Sequence, residues 1–268
     1  MENISNYEDS LFLHYLKSEN RIFFFDYDGT LVPIQNHPGQ AAPSALIRSL
    51  LINLASDLKN KVIIISGRGG ERLEQWLGDL PVTLVAEHGG VYKEPNQEWQ
   101  ILNNETINWK ERILPALHAL EFQYEGTFVE EKKYSLVWHY RMAKHKVNDL
   151  EKKQILAALR TLHSANEFLI YDEDCALELR STHINKGMFA SHYIWHNHYD
   201  FLLAIGDGKT DEDLFETIGN DCYTIRVGKS NNSAAKFFIN DQESVVLFLC
   251  KILALRNGVN SHARLHES

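Results

Sequence analysis

FFFDYDGTLVPI, residues 23–34, sets a run of large apolar side chains directly against two carboxylates and a Gly-Thr turn. The run opens at Ile22 and shows no polar alternation, so it reads as a strand buried on both faces, as in a parallel sheet. Three more runs share the pattern and end in Gly, Asp, Ser or Thr: Val62 to Ile65, Thr83 to Ala86 and Phe201 to Ile205. Helical patterns lie between and after them, among them Ser44 to Leu58 and Glu71 to Leu77. Alternation of strand and helix predicts an α/β protein with a doubly wound, Rossmann-like parallel-sheet core. Sheets of this kind bind ligands at the carboxyl ends of their strands. The polar clusters after Phe25, Ile65 and Ile205 are therefore expected to meet.

The middle of the chain breaks this rhythm. The sequence predicts a helix at Trp109 to Ala119, strands at Phe128 to Glu131 and Ser135 to Arg141, and a helix from Val147 to Leu162. Strands at Phe168 to Tyr171 and Ala176 to Leu179 complete the set. A small sheet with two helices reads as an inserted smaller α/β domain, because the parallel pattern resumes afterwards. The expected boundaries are a core from residues 1–104, the insert from 105–182 and the rest of the core from 183–268.

Composition excludes several functions. The formal net charge of −9 argues against nucleic acid or an anionic membrane as partner. No apolar run approaches the roughly 20 residues that span a bilayer. Glu2, Glu8 and Asp9 stand where a secretory leader would be basic. Cys175, Cys222 and Cys250 show no metal-ligand spacing, and an odd number cannot all pair within one chain. They are expected to be buried small hydrophobes in a reducing, cytoplasmic protein. The first residues and the polar tail from Asn257 to Ser268 are expected to be loose.

The pair Asp26 and Asp28 carries the chemistry. Hydrolysis of a phosphate monoester is among the slowest uncatalysed reactions, so it needs a positioned nucleophile and neutralised charge. A carboxylate such as that of Asp26 can supply the first by forming an aspartyl-phosphate that water later cleaves. Asp28 is placed to protonate the leaving oxygen and then to activate that water. The competing reading is a helix cap or turn residue.

The string DYDGTL at Asp26 to Leu31 resembles the first motif of the haloacid dehalogenase-like (HAD-like) phosphatases. Further strings resemble the later motifs in order: VIIISGRGG at Val62 to Gly70, HINKGMFA at His183 to Ala190, and LLAIGDGKTDEDLF at Leu202 to Phe215. The resemblance implies that Ser66 and Gly67 hold phosphate oxygens at the start of a helix. It makes Lys186 the lysine that holds nucleophile and phosphate. It also implies a Mg²⁺ site made by Asp26, the Asp28 main-chain carbonyl and Asp207, with Asp211 supporting Lys186 or a metal-bound water. Oxygen-only ligands beside phosphate suit that hard ion.

Within the superfamily, nearly the whole chain resembles the trehalose-6-phosphate phosphatases. The likeness rests on DYDGTLVPIQNHPGQAAPS at Asp26 to Ser44, SGR at Ser66 to Arg68, and AEHG at Ala86 to Gly89. VEEKKYSLVWHYR at Val129 to Arg141 and ELR at Glu178 to Arg180 lie in the insert, where that family carries its sugar-reading cap. The resemblance implies that Glu130, Lys132 and Glu178 read sugar hydroxyls and that Arg68 also binds substrate. The competing reading for the three is an exposed cross-strand ion network. Alternating parity along one strand puts Glu130, Lys132 and Tyr134 on one face and His139 and Arg141 on the other.

The resemblance implies a phosphoric monoester hydrolase that acts on trehalose 6-phosphate, with a trehalose-phosphate synthase as a candidate partner, and the chain is expected to be a monomer. The alternatives are a phosphatase for another glycosyl phosphate and a non-catalytic sugar-phosphate-binding regulatory domain. Two positions depart from the family pattern: Gly208 replaces a second Asp, and Ser181 replaces a Pro, which is expected to loosen the loop leading to Lys186. His192, His196 and His198 have partial zinc-ligand spacing without a carboxylate or cysteine to complete a site.

Overall fold

The computed structural model describes residues 1–35, 38–102, 108–162, 167–173, 175–219 and 222–265. His37 of the DYDGTL-containing string lies outside them. The chain divides into two compact units, Met1–Leu102 with Asn185–Ser268, and Asn103–Ile184.

The first unit opens with strand β1 (Glu2–Asn3), helix α1 (Glu8–Lys17), β2 (Arg21–Phe25), α2 (Ala45–Ala55), β3 (Asn60–Ile65) and α3 (Gly70–Leu77). Strands β4 (Thr83–Ala86), β5 (Val91–Lys93) and β6 (Gln100–Ile101) follow. The second unit contains α4 (Trp109–Gln123), β7 (Phe128–Glu131), β8 (Ser135–His139), α5 (Asp149–Thr161), β9 (Phe168–Glu173) and β10 (Ala176–Ser181). The chain then returns to the first unit with α6 (Lys186–Trp195), β11 (Phe201–Gly206), α7 (Glu212–Ile218), β12 (Tyr223–Val227), β13 (Phe237–Ile239) and α8 (Gln242–Leu265).

Among the described residues, the first unit holds a nine-stranded sheet in the order β1-β13-β12-β11-β2-β3-β4-β5-β6. Pairing is parallel from β1 to β4 and antiparallel at β5 and β6. Alternate residues of each central strand enter opposite cores. Phe23, Phe25, Val62 and Ile64 pack with Leu11 of α1, Leu51 of α2 and Phe248 of α8. Ile22, Phe24, Ile63 and Ile65 pack with Phe189 of α6 and Leu214 of α7. Each such fully buried side chain stabilises the fold by roughly 1.5–3 kcal/mol, which explains the uninterrupted apolar runs.

The chain ends differ from expectation. Ile4 is buried and β1 pairs with β13, so the first residues are anchored. The backbone of α8 continues helical to Leu265, through most of the tail expected to be loose. Cys222 is buried as expected, whereas Cys175 is half-buried and Cys250 exposed. No helix among the described residues is long and apolar enough to cross a membrane.

In the second unit a four-stranded antiparallel sheet, β7-β8-β10-β9, has one face covered by its helices. Leu136, Trp138, Leu177, Leu179 and Phe168 pack there against Ile113 and Leu117 of α4 and Ile155 and Leu159 of α5.

Candidate active site

Adjacent strands β11, β2 and β3 end side by side, so their following residues converge although the sequence separates them widely. Asp26 follows β2, and its N–H donates to Ile205 O at 2.9 Å. Ser66 follows β3 and Asp207 follows β11. The side chain of Asp207 packs over the DGT turn: a Cβ on Gly29 would stand 2.1 Å from Asp207 Oδ2. Only glycine tolerates that approach, and its φ of +81° also lies in the left-handed region.

Lys186, the first residue of α6, is only 1% exposed. Asn185 caps the helix by accepting from Met188 N at 2.7 Å, which fixes where the lysine emerges. Its Nζ donates to Asp26 Oδ1 at 2.5 Å and to Asp211 Oδ1 at 2.8 Å. Burial opposes its charge, but Asp211 and Asp26 outweigh that and hold its pKa above the usual lysine range. Asp211 Oδ2 accepts from Gly208 N at 2.9 Å. Both oxygens of Asp211 are thus engaged, which suits a residue that steadies Lys186.

Carboxylate oxygens of Asp26, Asp207 and Asp211 lie within 4.8 Å of one another. Burial pushes Asp26 well above the normal carboxylate range; Lys186 opposes this, and Asp211 and Asp207 add to it. Burial and then Asp211 push Asp207 up to about 7, against Lys186 and Arg226. Such crowding is relieved by a cation. Asp26 Oδ2 is moreover buried with no hydrogen-bond partner among the described residues. Oxygen donors with an open buried oxygen fit a hard divalent ion such as Mg²⁺. The Asp28 carboxylate stands outside this group, leaving its main-chain carbonyl as its expected contribution.

Asp28 instead faces Arg68, which forks onto it with Nε–Oδ2 and Nη2–Oδ1 both at 2.6 Å. The Arg68 guanidinium also lies 4.8 Å from the Trp76 ring centroid and 5.7 Å from that of Tyr27. Arg68 was expected at the substrate; here it holds the candidate acid. Ser66 is buried, and its Oγ accepts from Arg68 N at 3.2 Å. It therefore closes a turn, and α3 starts only at Gly70 with Gly69 as cap, a correction to the expectation that Ser66 itself opens the helix.

In the second unit the sheet face away from the helices carries polar side chains that are largely buried, Ser135 and Glu178 among them. Glu130 pairs with Val137 and Val137 with Glu178, while Phe128 pairs with His139. Paired residues share a face, so His139 lies with Glu130. The expected separation fails because β7 and β8 are two strands joined by a turn, and parity does not carry through a turn. Arg141 falls beyond the end of β8. His139 Nε2 and Glu130 Oε2 are 2.8 Å apart. Burial raises the Glu130 pKa, yet the His139 hydrogen bond and Lys132 charge outweigh it and hold it below normal. Glu178 accepts from Ser135 Oγ at 2.8 Å and Lys132 Nζ at 3.4 Å. Ser135 and His139 were missed; only the hairpin register reveals them.

Ser181 ends β10, buried, with its N–H donating to Tyr134 O at 3.2 Å. Proline could not make that bond, so the substitution ties this strand end instead of loosening it. His192 and His196 rings are 4.7 Å apart, but His196 Nδ1 bonds the His192 carbonyl oxygen at 2.7 Å. No group of metal-holding spacing includes them among the described residues.

A mostly parallel sheet with Asp26, Ser66 and Asp207 at its strand ends and Lys186 brought in at the start of α6 is the fold of the haloacid dehalogenase-like proteins. A hydrolase of that description from Bacteroides thetaiotaomicron shares the fold, with a TM-score of 0.60 at 14% identity over 87% of this chain and 99% of that one. The trehalose-phosphatase family profile matches residues 24–243, and the chain belongs to that family. The C-terminal domain of C. albicans trehalose-6-phosphate phosphatase is similar at TM-score 0.86 and 30% identity, over 92% of this chain and 97% of that one. A Dictyostelium discoideum protein, alpha,alpha-trehalose-phosphate synthase [UDP-forming] B, is 36% identical over 94% of this chain. The chain spans 32% of that relative's length.

Proposed function

We propose that the chain is a Mg²⁺-dependent phosphatase that hydrolyses trehalose 6-phosphate to trehalose and phosphate. The observation that carries this reading is the state of Asp26: one oxygen is held by Lys186, and the other is buried and bonded to nothing among the described residues. A carboxylate oriented by Lys186 at one oxygen and open at the other has two oxygens to share between phosphorus and a cation.

In the first step an Asp26 oxygen forms a bond to phosphorus as the ester P–O bond breaks. Asp28, in its protonated form, gives its proton to the departing sugar oxygen. In the second step water attacks the aspartyl-phosphate, Asp28 takes its proton, and Asp26 is released as carboxylate with inorganic phosphate. Lys186 offsets charge on the phosphoryl oxygens, Ser66 and Gly67 present donors to them, and Asp211 steadies Lys186. Asp26, Asp207 and the Asp28 carbonyl would hold Mg²⁺, which when bound supplies further positive charge against the phosphate.

The sugar is read, in this proposal, by the polar face that carries Glu130, Lys132 and Glu178, with Arg68 able to turn to substrate from Asp28. The likeness to a trehalose-phosphate synthase supports a synthase as partner. The test is phosphate release across a panel of sugar phosphates with and without Mg²⁺. Preferential turnover of trehalose 6-phosphate is expected; equal turnover of all esters would reject the substrate, and no turnover of any would reject the enzyme.

A further inference from the structure

We infer that the turn Glu87–His88–Gly89 is a positioning device for the phosphate-binding loop, with His88 as its positioning residue; this rests on the phosphatase reading above. Strand β4 pairs with β3, so the turn after β4 lies beside the Ser66–Arg68 turn after β3. Glu87 N–H donates to Arg68 O and His88 N–H donates to Ser66 O, each at 2.9 Å. Both ends of the loop that carries Gly67 are thereby pinned by backbone.

These bonds are made from an unfavourable conformation. Glu87 has φ +49° and His88 φ +58°, the left-handed region where a side chain crowds its own backbone. Strain of this kind persists only where surrounding contacts enforce it, and it gathers at functional sites. Here the contacts are identifiable. The His88 ring is buried against Gly67, where an added Cβ would lie 2.5 Å from ring Cε1 and Nε2. On the other side Gly89, at φ +114°, sits so close to Asn185 that a Cβ would be 2.9 Å from its carbonyl oxygen. Asn185 caps α6 and so sets Lys186.

One turn therefore touches both elements proposed to hold the phosphoryl group, the Ser66–Gly67 loop and the lysine helix, and fixes their spacing. A link that only joined β4 to β5 would need neither consecutive left-handed residues nor a ring wedged on the glycine.

The test compares His88→Gly, Gly67→Ala and the double variant by melting temperature, kcat and KM, and binding of inorganic phosphate by calorimetry. Glycine accepts the left-handed conformation, which offsets part of the cost of the cavity left by the buried ring, so His88→Gly should lower the melting temperature only modestly. It should nevertheless lower kcat/KM and weaken phosphate binding by about tenfold or more, since small displacements of positioned groups have such effects. Gly67→Ala should collide with the ring and lose more. The double variant should recover part of that loss, because the new methyl occupies the vacated space. His88→Gly within twofold of wild type in every measurement, or losses that multiply in the double variant, would overturn the inference. Should His88→Gly melt early, His88→Asn decides: asparagine tolerates left-handed φ, and a stable, fully active His88→Asn also overturns it. Wild-type protein that binds phosphate but hydrolyses no ester would sink the phosphatase reading, leaving phosphate binding to judge the turn.

Discussion

Lys186 and Asp26 share a buried contact at 2.5 Å, and its energetics differ from those of a surface pair. Removing one member of a buried pair strands the other charge, at a cost of about 3–5 kcal/mol. Lys186→Met should therefore both inactivate the protein and destabilise it by that order, read from denaturant melts. Asp26→Asn is expected to behave oppositely in stability, because Lys186 keeps Asp211 as its partner and one charge leaves a crowded group of three carboxylates. It should abolish phosphate release with the fold intact; full activity in this variant would refute Asp26 as nucleophile. Arg68 permits a sharper test. Its fork on Asp28 orients that carboxyl and, in the proposed reaction, opens as Arg68 turns to substrate, freeing an oxygen to carry the proton for the leaving group. Arg68→Ala should slow sugar phosphates, whose alkoxides need a proton, by about 10²-fold, the usual contribution of a general acid. It should slow p-nitrophenyl phosphate, whose leaving group needs none, far less. Equal losses on both esters would assign Arg68 to phosphate binding alone.

At the scale of elements, helix α6 must stay docked for Lys186 to stay in place, and Glu94 is one of its fasteners. Its carboxylate accepts from Tyr193 of α6 at 2.7 Å, from Thr83 of β4 at 2.9 Å and from Lys61 of β3 at 2.5 Å. Burial raises the Glu94 pKa, but the Lys61 and Tyr193 hydrogen bonds outweigh it and leave the folded-state pKa below the usual 4.5. A depressed acid contributes stability that is full above its unfolded pKa and is lost as pH falls through the folded one. Wild-type stability should thus decline below about pH 4.5, and Glu94→Gln should flatten that decline while costing roughly 1.5–3 kcal/mol at neutral pH. An unchanged acid limb would show that Glu94 titrates alike in both states. The elements also show what the sequence could reveal. The central strands were legible because both faces of Phe23 to Phe25 and Val62 to Ile65 are buried, which forbids polar alternation. Asp26, Asp207 and Lys186 were legible as motif residues on those strand ends and the helix after the insert. The companions of Glu130 were not, since the turn between β7 and β8 resets parity and only paired registers place His139 and Ser135 on its face. Nor was the strained His88 turn, whose contacts depend on β4 lying beside β3.

Across the whole molecule, the carboxylates proposed to hold Mg²⁺ come from opposite sides of the inserted unit: Asp26 precedes Asn103–Ile184 and Asp207 follows it. An ion bound by both would join the two chain segments of the first unit at the carboxyl ends of β2 and β11. Unfolding that unit would separate the ligands, so binding should register as global stability. For an ion at a hundredfold excess over its Kd the gain is about 2.7 kcal/mol. Each kcal/mol shifts the melting temperature of a domain of this size class by about 2–4 °C. Chelator-treated protein should therefore melt several degrees lower than protein in excess Mg²⁺, and the shift should grow with the logarithm of Mg²⁺ concentration once the site is saturated. Asp207→Ala should remove most of the shift. Gly208→Asp should enlarge it at low Mg²⁺, because a Cβ there meets nothing nearer than 3.6 Å and the added carboxylate raises the local attraction for a cation. Without the ion, that same carboxylate lies near Asp211 Oδ2 and should lower the melting temperature of the chelated protein. A melting temperature indifferent to Mg²⁺ in wild type, with phosphate release still dependent on it, would mean that the ion enters only with substrate and that Asp26 and Asp207 do not form its site alone.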